Sequence, residues 1–162
     1  MFELTDIIHC KLKYKNDSDV HEIKLNELIL DKNIVMFGVP GAFTPTCSAK
    51  HLPSFVQNHS KIFSLGIDDI ICVSVNDPFV MHAWGESNNT NNNIKMMSDV
   101  GGYLAKAMRI ERDFGPNLLM RMKRFAMVIK QNEIKTFVVD EKGDYGKTSA
   151  ENIISLLKKN LN

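Results

Sequence analysis

IVMFGV at Ile34–Val39 and IICVSV at Ile70–Val75 are short, nearly all-apolar runs rich in β-branched residues. Such runs read as strands covered on both faces, because a strand with one wet face alternates polar and apolar side chains. Between them, Pro45 to Phe63 sets Leu52, Phe55, Val56, Ile62 and Phe63 at roughly helical spacing, with Pro53 marking a kink. Strand, helix and strand in this order form a right-handed βαβ unit. Upstream, residues 7–14 and 20–25 read as short strands around the polar turn Lys15–Asp19. Downstream, Asn76-Asp77-Pro78 signals a turn before a helix near Phe79–Glu86, and SNNTNNN at Ser87–Asn93 is a polar surface loop. Ile94–Ser98 reads as a strand and Val100–Ile110 as a helix. Phe125–Ile129 and Ile134–Val139 flank Lys130–Glu133 as a hairpin. Thr148 with Glu151 makes a capping box ahead of Ile153, Ile154, Leu157 and Leu161, with Lys158 and Lys159 in the last turn. The order implies an α/β fold with a mixed sheet.

With 162 residues and no Pro/Gly/Ser linker, the chain is expected to be one domain, 1–162. Apolar residues make up 44% and charged residues 24%, which excludes wholesale disorder, collagen and coiled coil. Twenty basic against nineteen acidic residues leave a net charge of +1, so nothing draws the chain to nucleic acid or anionic membrane. No apolar run approaches the roughly 20 residues that span a bilayer. The opening MFELTDIIHCKLKYK lacks the basic-then-apolar pattern of a secretory signal. Cys10, Cys47 and Cys72 form an odd set without CxxC, which argues against a disulfide scaffold or a structural zinc site. The five histidines show no metal-ligand spacing, and no metal or cofactor is expected. Sparse thiols suit a reducing compartment, so the cytoplasm is expected, or an organelle if a leader has been removed. GDYGKTS at Gly143–Ser149 ends in GKT, but Glu141 stands where a Walker A loop needs glycine. Pro53 stands where a Cys-x5-Arg phosphatase loop needs arginine.

The chemistry concentrates in VPGAFTPTCS, Val39 to Ser48, where the first buried strand gives way to the long helix. Open α/β sheets form their sites at the carboxyl ends of strands. Thr44 reads as the N-cap, Pro45 as the first helical residue and Cys47 as the third. The helix dipole and free backbone N–H groups there favour a thiolate. Position alone leaves two readings open, a reactive thiol and a small buried hydrophobe. His51, one turn on, is read as structural rather than as a base, because a thiolate at a helix start needs none.

Pro40, Thr44 and Cys47 in the pattern P-x-x-x-T-x-x-C resemble the active-site signature of the peroxiredoxins. The longer GVPGAFTPTCS with HLPSF (His51–Phe55), SVNDPFV (Ser74–Val80), Trp84-Gly85 and MKRFAMVI (Met122–Ile129) is similar to the type-5 subfamily. The resemblance implies a thioredoxin-like fold, a central mixed sheet with helices on both faces. It makes Cys47 the peroxidatic cysteine, Thr44 the hydroxyl beside it, Arg124 the guanidinium over the thiolate and Pro40 a shield. With Arg121 and Lys123 alone, Arg124 reads as part of a solvated cluster; the flanking Phe125-Ala126-Met127 and the resemblance together reverse that reading. Apolar residues in Phe114–Met120 are expected to wall the pocket.

The implied activity is thiol-dependent reduction of hydrogen peroxide and organic hydroperoxides through a sulfenic acid on Cys47. Lowering a thiol pKa from about 8.5 to about 6 gains roughly 13-fold in thiolate at pH 7.4. A Brønsted slope of about 0.4–0.5 takes back a similar factor. The rate must therefore come from donors fixed around the departing oxygen, each worth roughly 3–4 kcal/mol by analogy with oxyanion holes. A redox sensor using the same cysteine is the alternative, distinguished by its lack of turnover. Many type-5 members carry a resolving cysteine just before the C-terminal helix. Here Gly143–Ser149 contains none, and Lys147 stands at the matching position. Cys10 and Cys72 fall in strands away from the helix start, so an external thiol is expected to resolve the sulfenic acid. Glutathione with glutaredoxin is favoured, with thioredoxin the other candidate. The family also implies a homodimer, with Phe43, Phe79 and Trp84 as interface or core aromatics.

Overall fold

A computed structural model describes residues 1–160. In chain order the elements are α1 (Leu4–Ile7), β1 (Lys11–Lys15), β2 (Val20–Lys24), α2 (Leu25–Ile29) and β3 (Ile34–Gly38). A π-helical stretch, Cys47–His51, leads into α3 (Leu52–Ser64) and β4 (Asp69–Ser74). Then follow α4 (Pro78–Ser87), β5 (Lys95–Ser98), α5 (Tyr103–Ala107), β6 (Glu111–Asp113) and β7 (Met120–Met122). The hairpin β8 (Phe125–Lys130) and β9 (Glu133–Val139) precedes α6 (Ala150–Lys159).

Seven strands form one sheet in the order β2-β1-β5-β4-β3-β8-β9, and β6 pairs with β7 separately. β4 runs parallel to both β3 and β5, while β8 is antiparallel to β3, so the sheet is mixed as expected. Alternation along the central strands divides the core in two. Val35, Phe37, Ile70, Cys72, Ala126 and Val128 meet α3, α4 and α6. Ile34, Met36, Ile71, Val73, Met127 and Ile129 meet α1, α2 and α5. Helices therefore cover both faces, which is why β3 and β4 read as nearly all-apolar runs. Phe37 stacks on Phe55 at 3.9 Å and 5°, clamping α3 to β3; such pairs add about 0.5–1.5 kcal/mol beyond buried area. Gly38 must be glycine, because a Cβ there would lie 2.1 Å from Cε1 of Phe125 on the neighbouring strand.

Several boundaries differ from the sequence reading. The first strand begins at Lys11, because residues 4–7 form α1 instead. The helix expected over Val100–Ile110 is only α5, since Gly101 and Gly102 hold φ of 97° and 74° and delay its start. Pro53 lies inside a helical run that is continuous from Pro45 to Ser64, and the irregularity expected there takes the form of the π-helical turn Cys47–His51 that ends two residues before it. The cap of α6 is Ser149, whose Oγ accepts from Asn152 N at 3.2 Å. Thr148 is drawn away from that role by Asp140, described below. The β6–β7 pair carried no clear period and went unread. Within the polar loop, Thr90 is buried and donates to the Gly85 carbonyl. Leu161 lies outside the described residues. No described helix is long and apolar enough to cross a membrane.

Candidate active site

The loop between β3 and the π-helical stretch is pinned from β4. Asn76 Oδ1 accepts from Ala42 N at 2.8 Å and from the Ser74 hydroxyl at 2.7 Å. The sequence marks Asn76 only as a turn residue; the structure makes it the anchor of this loop. Phe43 then holds φ at 61°, a left-handed conformation that costs a bulky residue about 1–3 kcal/mol. The helix begins at Pro45, as read, but Thr44 does not cap it through its side chain. Its hydroxyl donates to the Gly41 carbonyl at 2.7 Å, leaving oxygen lone pairs as acceptors.

Cys47 opens the π-helical stretch and His51 closes it. The wider turn sets the two side chains on one side, where both meet Arg124. Nη2 of Arg124 donates to Sγ of Cys47 at 3.1 Å, and Nη1 donates to Nδ1 of His51 at 2.8 Å. Arg124 lies just before β8 and is only 7% exposed, so it is not part of a solvated cluster. Of its former companions, Arg121 donates to the Leu118 carbonyl and Lys123 stays at the cavity mouth.

His51 is fully buried, and its Nε2 lies 2.9 Å from the Thr148 carbonyl. A carbonyl only accepts, so Nε2 carries the proton and Nδ1 offers its lone pair to Arg124. Burial first, and the Arg124 charge second, push the imidazole down to a pKa of about 3. The ring is neutral in ordinary buffers. Thr148 is fixed in turn by Asp140, whose carboxylate accepts from Thr148 N at 2.9 Å and from its hydroxyl at 2.7 Å. A relay thus runs Cys47–Arg124–His51–Thr148–Asp140. The sequence showed His51 one turn from Cys47 but gave no sign of the Thr148 carbonyl or of Asp140.

A cavity of about 240 Å³ opens over this group. Pro40, Thr44, Cys47 and Arg124 line it together, with Phe114 and Leu118 as apolar wall. Leu119 and Met120 line a different hollow of about 360 Å³. Two larger hollows, this one and another of about 390 Å³, contain no cysteine. Cys47 as a residue is 1% exposed, so only a small or slender group reaches its sulfur.

All three cysteines are free. Cys72 shares the apolar cluster of Cys47, closer than its place in a central strand suggested, whereas Cys10 packs on the other face. Burial pushes the Cys72 thiol well up, and the nearby Cys47 adds to this. Burial also raises Cys10, with the Asp99 charge second. Both are poor nucleophiles. Trp84 belongs to the core, and its Nε1 donates to Ser48 Oγ at 2.9 Å; Phe43 and Phe79 are exposed.

The redoxin family model matches residues 10–154. Peroxiredoxin-2B of Arabidopsis thaliana is 36% identical over 145 residues, 89% of this chain and 90% of the relative. Reduced Prx3 of Vibrio vulnificus, solved in complex with H2O2, superposes with a TM-score of 0.89 at 34% identity, over 93% of this chain and 95% of that one. The 1-Cys peroxiredoxin of Plasmodium falciparum gives a TM-score of 0.86 at 27% identity, over 94% and 96%.

Proposed function

The chain belongs to the peroxiredoxin family, with its thioredoxin-like fold and thiol peroxidase activity, and from that premise we propose how its own residues act. Cys47 is the nucleophile. Its thiolate attacks the terminal oxygen of a hydroperoxide; the S–O bond forms, the O–O bond breaks, and the departing alkoxide or hydroxide takes up a proton. The product is a sulfenic acid. The observation that carries this reading is the guanidinium N–H of Arg124 aimed at Sγ from 3.1 Å. A buried guanidinium beside the reacting sulfur stabilises the thiolate and the negative charge that moves onto the leaving oxygen. Thr44, with its proton spent on Gly41, accepts from the peroxide O–H. Pro40 keeps water from the sulfur, the role we assign to it as cavity wall.

We further propose that glutathione, assisted by glutaredoxin, reduces the sulfenic acid. Glutathione thiolate displaces hydroxide as water, and a second glutathione releases the disulfide and restores Cys47. No resolving cysteine stands at Lys147; Cys72 is a raised thiol in the packed core, and Cys10 is a raised, partly buried thiol on the opposite face of the sheet from Cys47. The relative from Plasmodium falciparum is itself described as a 1-Cys enzyme. The cavity mouth carries Arg112, Lys123 and Lys142, and neither lysine is ion-paired with a described residue. The acidic residues there are engaged, Glu141 by Arg112 and Asp140 by Thr148. A positive mouth suits the two carboxylates of glutathione. Three free thiols suit a reducing compartment such as the cytoplasm. Exposed Phe43 and Phe79 fit a homodimer formed through this end of the molecule. Steady-state peroxide consumption decides the reductant: turnover is expected with glutathione and glutaredoxin, and turnover with thioredoxin and its reductase alone would refute the choice.

A further inference from the structure

Asp17, in the turn between β1 and β2, meets His82 and Glu86 of α4 at the surface. Nε2 of His82 lies 3.3 Å from Oε1 of Glu86 and 4.0 Å from Oδ1 of Asp17. Among the described residues this is the one group of three or more histidine, cysteine or acidic side chains whose ligand atoms converge so closely. We propose that Asp17, His82 and Glu86 form a binding site for a divalent transition-metal ion, with zinc the best fit.

Zinc bonds to imidazole nitrogen and carboxylate oxygen at about 2.0–2.2 Å, so the edges of its tetrahedron are about 3.3–3.5 Å long. The His82–Glu86 pair already has that spacing, because residues four apart on a helix share a face. Asp17 Oδ1 is 4.0 Å from the His82 nitrogen, and the three ligand atoms all lie within 4.8 Å of one another, so Asp17 has at most about 1.5 Å to close to reach the same spacing. Its side chain is 97% exposed and free to swing. The backbone beneath it is not free: Asn16 Oδ1 accepts from Ser18 N at 3.0 Å and from Asp19 N at 2.8 Å. Lys15, which precedes the turn, donates to the Asn16 carbonyl and forms no ion pair with Asp17. The imidazole is only 22% exposed, so little rotamer freedom is lost on binding. Water completes the tetrahedron. Magnesium and calcium prefer all-oxygen shells, and the imidazole selects against them. The site was invisible in the histidine spacing because Asp17 comes from a remote hairpin.

A bound ion would tie the β1–β2 turn to α4. Trp84 on that helix donates to Ser48, beside Cys47, so the brace reaches the wall of the active site. The competing account is a plain ion pair of protonated His82 with two carboxylates. The two differ in pH dependence, since a metal needs the neutral imidazole and an ion pair needs the charged one.

The test is calorimetric titration of the Cys47→Ser protein with Zn²⁺, which removes the accessible thiolate as a rival ligand. One site is expected, tighter at pH 7.5 than at pH 6. His82→Gln and Glu86→Gln should each weaken it about tenfold or more, since even outer-shell changes cost 10–100-fold. Co²⁺ in place of Zn²⁺ should give tetrahedral d–d bands without thiolate-to-cobalt charge transfer. Zn²⁺ should raise the melting temperature of the parent and not of the two variants, which also reports that they fold. Undiminished binding by folded His82→Gln, a thiolate band, or no binding at all would each overturn the proposal.

Discussion

Replacing His51 with leucine separates the role of the relay from that of the cysteine itself. The substitution removes the acceptor for Arg124 Nη1, a 2.8 Å bond, and the donor to the Thr148 carbonyl, a 2.9 Å bond. Loss of a hydrogen bond from a charged donor costs about 1.5–3 kcal/mol, and the orphaned carbonyl about 1–3 kcal/mol more. The variant should therefore lose about 3–5 kcal/mol of stability, the added apolar volume returning a little of it. Its rate with peroxide depends on where the freed guanidinium points. If Arg124 leaves the sulfur, the loss is that of one oxyanion donor, about 10²–10³-fold. Glutamine at the same position can accept through Oε1 and donate through Nε2, so His51→Gln should recover to within about tenfold of the parent. Stopped-flow mixing of reduced protein with hydrogen peroxide measures this rate. Trp84, the only tryptophan, is bonded to Ser48 next to Cys47 and serves as the reporter. Adding His51→Leu to Arg124→Met should cost almost nothing further, because the relay acts through the arginine. Additive losses, or a folded His51→Leu protein with the parent's rate, would refute this account.

Cys47→Ser should abolish peroxide reduction, while Cys10→Ser and Cys72→Ser keep most of it; loss of turnover with either of the latter would undo the one-cysteine assignment. After one equivalent of peroxide, mass spectrometry should find a sulfenic acid, and a glutathione adduct on Cys47 when glutathione is present. A fast intramolecular disulfide would contradict this. Lys123→Glu with Lys142→Glu should slow adduct formation several-fold at low salt and leave the rate with neutral hydrogen peroxide nearly unchanged. In acid, the folded His51 stays neutral down to about 3 while the unfolded one protonates near 6.5, so its contribution is whole above pH 6.5 and about 2 kcal/mol of it is gone by pH 5. Asp99, raised to about 6 chiefly by burial, works the other way below pH 6, so Asp99→Asn should steepen the acid loss seen by urea unfolding.

The two nearly all-apolar runs were legible because both faces of β3 and β4 are buried, and their shortness and β-branched content favour strand over buried helix. The β8–β9 hairpin was equally plain, since Gln131 and Asn132 take the positive φ its two-residue turn requires. Elements that depend on tertiary context were not legible. The β6–β7 pair is three residues a strand, too short for a period to show. Ser149 displaced Thr148 as the cap because a buried carboxylate, Asp140, claims the threonine hydroxyl. At the site, Cys47 and Thr44 could be placed from local rules, but Arg124 could not. Arg121 and Lys123 beside it suggest a wet cluster; the apolar flank Phe125-Ala126-Met127 argues against that, but only the resemblance names the sulfur as its partner. Burial of a guanidinium depends on who accepts its protons, and both acceptors lie more than seventy residues earlier.

Why the second acceptor is an imidazole follows from charge. In the proposed mechanism Arg124 presents a positive field to Cys47 and to the leaving oxygen, and it also has to be held still. A carboxylate at position 51 would hold it as well. It would also place a negative charge two hydrogen bonds from the sulfur, opposing the thiolate by about 2–3 kcal/mol at an effective dielectric near 20. A neutral ring orients the guanidinium without drawing on its charge. Neutrality alone is not enough, because the other tautomer would aim an N–H at the arginine and push it away. The Thr148 carbonyl removes that choice by accepting from Nε2. That carbonyl is set by Asp140, at the end of β9, and stands directly before the cap of α6. The segment leading into α6 is thus part of the proposed active site, although it contributes no side chain to the sulfur.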